Sequence, residues 1–163
     1  MLGFGSPSQS LGDMDAEQAS RLIAAAADAT LVMDQAGVIR DMAFGNADLA
    51  AVLGGRRAWI GRAFADSVAA DSRQTAADML AEAAAQEIPR WRHINFRGND
   101  GTSLPLLCAA NQLQGTDRLV VFARDLRLLA SLQQRLVEAQ QAMEREYGRL
   151  RQAETRYRLL FQM

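Results

Sequence analysis

The sequence predicts an α+β chain: a five-stranded antiparallel sheet with helices on one face, followed by a long C-terminal helix of the coiled-coil kind. Three observations carry this. Two short apolar runs, Thr30–Asp34 and Val38–Met42, flank the turn Gln35-Ala36-Gly37, which is hairpin spacing. Three more runs, Arg90–Arg97, Ser103–Leu113 and Arg118–Arg124, follow a helical middle. They are separated by Gly98-Asn99-Asp100-Gly101 and Gly115-Thr116-Asp117, the residue types that tight turns require. From Ala123 onward strong helix formers dominate and apolar residues return every 3.5 positions. Hairpin strands around a helical middle make a sheet covered on one side.

The elements follow in order. Residues 1–13 are rich in Gly and Ser and are expected to form a flexible tail. Asp15 with Gln18 three residues on is a capping box, opening a helix to Asp28 whose face is Leu22, Ile23, Ala26 and Ala27. After the first hairpin, Asn46 caps a short helix, Ala47–Leu53, and Gly54-Gly55 stops it. Asp71 or Ser72 caps a further helix running to Gln86, and Ile88-Pro89 ends it. Pro105 places the start of the fourth strand at an edge or bulge. The expected core is Leu22, Leu31, Val32, Ile39, Leu49, Phe64, Met79, Ile94, Phe96, Leu107, Val120 and Phe122.

The last quarter organises the chain. One seam is Leu129, Leu136, Met143, Leu150 and Tyr157; the other is Leu132, Ala139, Glu146, Ala153 and Leu160. Only Glu146 breaks the apolar pattern. So narrow a stripe, held for more than four heptads, needs a partner helix. A continuous helix here is roughly 55–60 Å long, too long to lie wholly on a small domain. Leu129, Leu132, Leu136, Ala139, Met143, Leu150 and Tyr157 are the expected oligomerisation residues, in a dimer or tetramer. Gly148 falls on the outer face of this rod.

Composition narrows the function classes. All 18 basic residues are Arg, so a P-loop lysine, a Schiff-base lysine and a Ser-Lys pair are excluded. A net charge of −1 gives no bulk basic field for nucleic acid. The lone Cys108 permits no internal disulfide, in keeping with a reducing cytoplasm. There is no apolar run of 18 residues and no signal-peptide pattern, so no membrane is expected.

The order of elements between Leu22 and Arg124 resembles the PAS fold, with Asp34 and Gly37 in the turn most typical of it. The helical segment from Ala123 is similar to the Gln-rich linker of the PpsR/CrtJ family, repressors of photosystem genes in purple photosynthetic bacteria. Gln133, Gln134, Gln140, Gln141 and Gln152 carry that likeness, and Glu154–Arg158 with Leu159-Leu160-Phe161 looks like the opening of a following PAS domain. The resemblance implies a tail at 1–13, a PAS-like domain at 14–124 and a linker at 125–163, ending where a further domain begins. It implies a redox- or light-responsive transcriptional repressor whose DNA-binding helix-turn-helix lies outside this chain, with an antirepressor protein as a possible partner. The family's redox cysteines belong to later regions, so none maps onto Cys108.

Candidate sites reduce to a few residues. His93, the one His, sits mid-strand beside Trp91, Asn95 and Arg97, and reads as a structural or surface histidine, not a haem ligand. Cys108, among Leu106, Leu107, Ala109 and Ala110, reads as an inert core thiol. Arg90, Arg92 and Arg97 with Trp91 read as a solvated strand face. No GxSxG, HExxH, P-loop or CxxC is present, so no catalytic or metal site and no cofactor are expected. The expected function is therefore non-catalytic: oligomerisation and signal relay within a repressor. The alternative is a ligand-binding sensory PAS domain of a histidine kinase or cyclase.

Overall fold

The computed structural model describes residues 3–162. Met1, Leu2 and Met163, the outermost residues of the expected tail and rod, lie outside the described residues. The chain divides into two units, one ending at Leu126 and the other starting at Arg127.

The first unit opens with α1 (Pro7–Leu11) and α2 (Ala16–Ala26), followed by strands β1 (Ala29–Met33) and β2 (Ile39–Phe44). The helical middle holds α3 (Ala47–Leu53), α4 (Phe64–Ser67) and α5 (Arg73–Ala84), with 3-10 turns at Arg56–Ala58 and Ala70–Ser72. Then come β3 (Arg92–Arg97), β4 (Ser103–Gln112) and β5 (Leu119–Asp125). All pairings are antiparallel and the strand order is β2-β1-β5-β4-β3. The last strand is thus the middle of the sheet. The second unit is α6 (Arg127–Phe161), 35 residues and about 50 Å long.

Local chemistry explains the boundaries. At α2 the Asp15 carboxylate accepts from the Gln18 amide at 2.8 Å, and the Gln18 side chain accepts from the Asp15 amide at 3.3 Å. Asn46 accepts from the amides of Asp48 and Leu49 to start α3, and Gly54 ends it in the left-handed region, φ 84°. In the β1–β2 turn Asp34 accepts from the amides of Ala36 and Val38 and pairs with Arg40 at 2.7 Å. The Val38 amide, then Arg40, hold the Asp34 carboxyl below its usual range.

One face of the sheet packs on α3, α4 and α5. Leu31, Met33, Ile39, Ile94, Phe96, Leu106, Cys108 and Val121 meet Leu49, Leu53, Trp59, Phe64, Val68 and Met79. Each large side chain so buried contributes about 1.5–3 kcal/mol. Trp59 stacks on Phe96 at 5.7 Å, and Phe64 meets Phe96 edge-on at 5.6 Å. The Trp59 indole N–H donates to the Leu53 carbonyl at 2.8 Å, so its burial leaves no polar group unmatched.

Several expectations need correction. The tail contains a helical turn: Pro7 stands at its first position, where a missing N–H costs nothing, and Gly12 ends it. Leu22 is exposed, because α2 buries no side chain. Val32, Leu107 and Phe122 are half-buried on the opposite face of the sheet, and Val120 is buried on that face, outside the main core. Their strands are apolar on both faces, so alternation alone did not say which residues point inward. Ser72 precedes α5 without capping it; its hydroxyl instead accepts from the Asn95 amide at 2.9 Å, tying α5 to β3. β4 is an internal strand, yet Pro105 sits on the stretch that pairs with β3 alone, beyond the end of the β5 ladder.

Candidate functional site

The site begins at the junction from which α6 departs. Here β5 ends at Asp125, and Leu126 alone separates it from the helix. Contacts within the first unit hold the end of β5 in place. The Asp28 amide donates to the Ala123 carbonyl at 3.0 Å, and the Asp28 carboxylate accepts from the Asp125 amide at 2.7 Å. The Leu126 amide donates to the Pro105 carbonyl at 3.0 Å. The Arg124 guanidinium lies over the Trp91 ring, 4.2 Å from its centroid. The end of β5 is therefore fastened to the segment after α2, to β4 and to the approach to β3.

None of these partners was singled out from the sequence for this role. Asp28 stood merely as the end of the first helix, and Trp91 as part of an arginine-rich strand. In register, Arg124 opposes Leu107, which opposes His93, so Arg124 and His93 share the sheet face that looks away from the core. Alternation of side chains along β3 was the one available signal.

The expected oligomerisation residues all lie on α6. Leu129, Leu132, Leu136, Ala139, Met143, Leu150 and Tyr157 are exposed in this single chain, the larger ones by 50–73%. The helix is continuous through Glu146 and Gly148, and it buries no residue. On its surface Glu154 pairs with Arg158 at 2.7 Å, and Arg151 lies over Tyr147.

The space between sheet and helices is filled by Trp59, Phe64 and Phe96. Cys108 lies within that core, and burial pushes its thiol up to about 12. A thiol so held is not a nucleophile near neutral pH. His93 is exposed on β3. Arg90, just before β3, and Arg92 within it both pair with the single carboxylate of Glu82 on α5, which offsets one of their two charges within the domain. Among the described residues, no three His, Cys, Asp or Glu side chains come together to hold a metal ion. Among them, too, no helix is long and apolar enough to cross a membrane.

No protein-family model matches the sequence. Among curated proteins the chain is similar to Protein CrtJ of Rhodobacter capsulatus, 30% identical over 146 residues, which is 86% of this chain and 29% of CrtJ. It therefore spans less than a third of that relative's length. Among solved structures, a domain of a sensory box sensor histidine kinase/response regulator from Geobacter sulfurreducens superposes with a TM-score of 0.54 at 22% identity, covering 67% of this chain and 93% of that one. The PAS domain of the Cronobacter turicensis RpfR quorum-sensing receptor, in complex with C12:0, superposes with a TM-score of 0.50 at 12% identity, covering 61% and 95%. At such identities the two structures speak for the fold alone. The five-stranded PAS-like sheet and the long terminal helix, with a weak sequence similarity to CrtJ over most of the chain, are consistent with a PAS-containing, PpsR/CrtJ-like protein.

Proposed function

We propose that the chain is a non-catalytic assembly and relay module of a transcriptional repressor of photosynthesis genes, acting in the cytoplasm in response to a redox or light signal. Two chains pair through α6, and a change at the PAS-like domain reaches the rest of the protein through the fastened end of β5. DNA is bound by parts of the parent protein outside this chain, and an antirepressor protein is a candidate partner.

The observation that carries this reading is the exposed apolar seam of α6, on a chain related to CrtJ. Seven large apolar side chains on one side of a helix that buries none of them are stable in water only when covered. The alternative is a sensory PAS domain that takes a ligand between sheet and helices, as the RpfR domain solved with C12:0 invites. The packing of Trp59, Phe64 and Phe96 weighs against it, because that space is occupied by side chains.

The test is the mass in solution by light scattering, on this chain and on Leu136→Arg, with an absorption spectrum of the same sample. A dimer or tetramer that falls to monomer in the variant, without absorbance beyond the aromatic band, supports the assembly reading. A monomer in both overturns it. A visible chromophore moves the weight to the ligand sensor.

A further inference from the structure

β4 outruns its neighbour on one side. It pairs with β5 as far as Gln112, but with β3 only from Ser103 to Cys108, because β3 begins at Arg92. The direction in which the leftover residues face follows from parity. The Leu113 amide donates to the Arg118 carbonyl and the Leu126 amide to the Pro105 carbonyl, so odd-numbered residues turn their backbone groups toward β5. The Gly98 amide donates to the Thr102 carbonyl, so even-numbered ones turn toward β3. Ala110 and Gln112 therefore present N–H and C=O on the side where β3 has not yet begun. Among the described residues no backbone group bonds to them there.

Ala110 is buried, in a small recess that it shares with Pro89 and Arg90. Gln112 borders an open cleft of about 290 Å³, whose other wall is the segment from Gln86 to Pro89. That wall is set by the end of α5. Gln86 is the one non-glycine residue with positive φ, 58°, among the described residues. It turns the chain sharply, and the Glu87 amide donates back to the Glu82 carbonyl at 3.0 Å. Ile88 is left exposed beside Pro89. The Gln112 side chain is tied to the following turn, its Nε2 donating to the Thr116 carbonyl at 3.3 Å, while its Oε1 is buried and receives no donor among the described residues. The strand end thus carries unmet hydrogen-bonding capacity in backbone and side chain alike.

We infer that this cleft takes a short, uncharged, extended peptide segment, added beside Gln112 as a further piece of strand. One residue of the segment exchanges both backbone hydrogen bonds with Gln112, the complement that an unpaired strand edge selects. The amide side chains of Gln86 and Gln114 line the cleft and suit the neighbouring peptide groups. Ile88 and Pro89 give one apolar side chain of the segment a surface to cover. Glu87 is the one charged side chain of the lining, so an acidic segment is disfavoured. With a single residue fully paired the contact is weak, with a Kd on the order of 1 mM. The inference is independent of how α6 is covered.

The experiment is an amide NMR titration of the 163-residue chain with the blocked peptide acetyl-Thr-Val-Thr-Val-Thr-amide, whose β-branched residues favour an extended backbone. The expected result is a saturable shift of the Gln112 amide, with slower hydrogen exchange at that position. No saturation by roughly ten times the expected Kd overturns the inference. Gln112→Pro removes the free N–H and breaks no bond to β5, since even-numbered residues do not face that strand. It should weaken binding at least about tenfold, whereas Gln112→Ala, which keeps the N–H, should bind like the parent. Equal binding by Gln112→Pro, or equal loss in both variants, overturns strand addition. Should Gln112→Pro disturb the fold, the same peptide N-methylated at every residue decides on the parent chain. It should not bind, and if it binds as well as the unmodified peptide the cleft reads side chains and the inference falls.

Discussion

Asp28 and Asp125 lie 97 residues apart in sequence, and the carboxylate of the first accepts a hydrogen bond from the backbone amide of the second at 2.7 Å. The bond joins the segment that enters the sheet to the strand that leaves it. Asp28→Ala removes the carboxylate acceptor of a partly buried amide. It is expected to lower stability by about 1–2 kcal/mol, seen as an earlier urea midpoint with unchanged slope. Asp28→Asn keeps an acceptor oxygen and should recover most of the loss. If Asp28→Ala unfolds like the parent, the bond does not fasten the junction.

The Trp91–Arg124 contact should show as a coupling, not as two large single effects. Trp91 is 43% exposed, so each truncation alone is modest. A double-mutant cycle with Trp91→Ala and Arg124→Ala should return about 0.5–1 kcal/mol of interaction energy. Additive single effects would mean that the ring and the guanidinium are merely neighbours.

Gly45 follows β2 and packs against the end of α2. A Cβ there would stand 2.3 Å from the carbonyl oxygens of both Ala24 and Ala27. These are backbone atoms and cannot rotate away. Gly45→Ala should cost about 1–3 kcal/mol and speed hydrogen exchange in α2. An unchanged thermal midpoint would show that α2 shifts freely.

Cys108 gives a pH prediction. Burial raises its thiol from 9.0 to about 12 in the folded protein. A group raised on folding lends stability that is intact below its unfolded value and lost as pH climbs toward the folded one. Stability should therefore fall between about pH 9 and 12, and Cys108→Ala should flatten that fall. At pH 8 the native thiol should resist iodoacetamide and react once urea unfolds the chain.

The parts of the fold that were legible in the sequence are those encoded by neighbours. Asp15 with Gln18, Asn46 with Gly54, and the Asp34–Gly37 turn each announce themselves within a few residues, because caps and turns are local hydrogen-bond problems. The length of α6 was legible because strong helix formers run on without a proline. What stayed hidden depends on pairs distant in sequence. Nothing around Leu119–Asp125 says that this strand inserts between β1 and β4. Nothing near Asp28 names Asp125, and Ser72 looks like a helix cap until β3 is placed beside it. Leu107 and Phe122 belong to runs apolar on both faces, so their direction is settled only by the register of the whole sheet.

That register has a bearing on how the chain is made. The hairpin β1–β2 and the pair β3–β4 are two half-sheets with no ladder between them until β5 arrives. During synthesis both halves are complete when Gln112 has emerged, and each still shows a bare strand edge, on β1 and on β4. Such edges invite foreign strands. A nascent chain cut short before Leu119 keeps both of them open, and it also lacks α6. The same seven residues that close the sheet are thus the last safeguard against its misassembly, and only a chain that has passed this point goes on to carry α6.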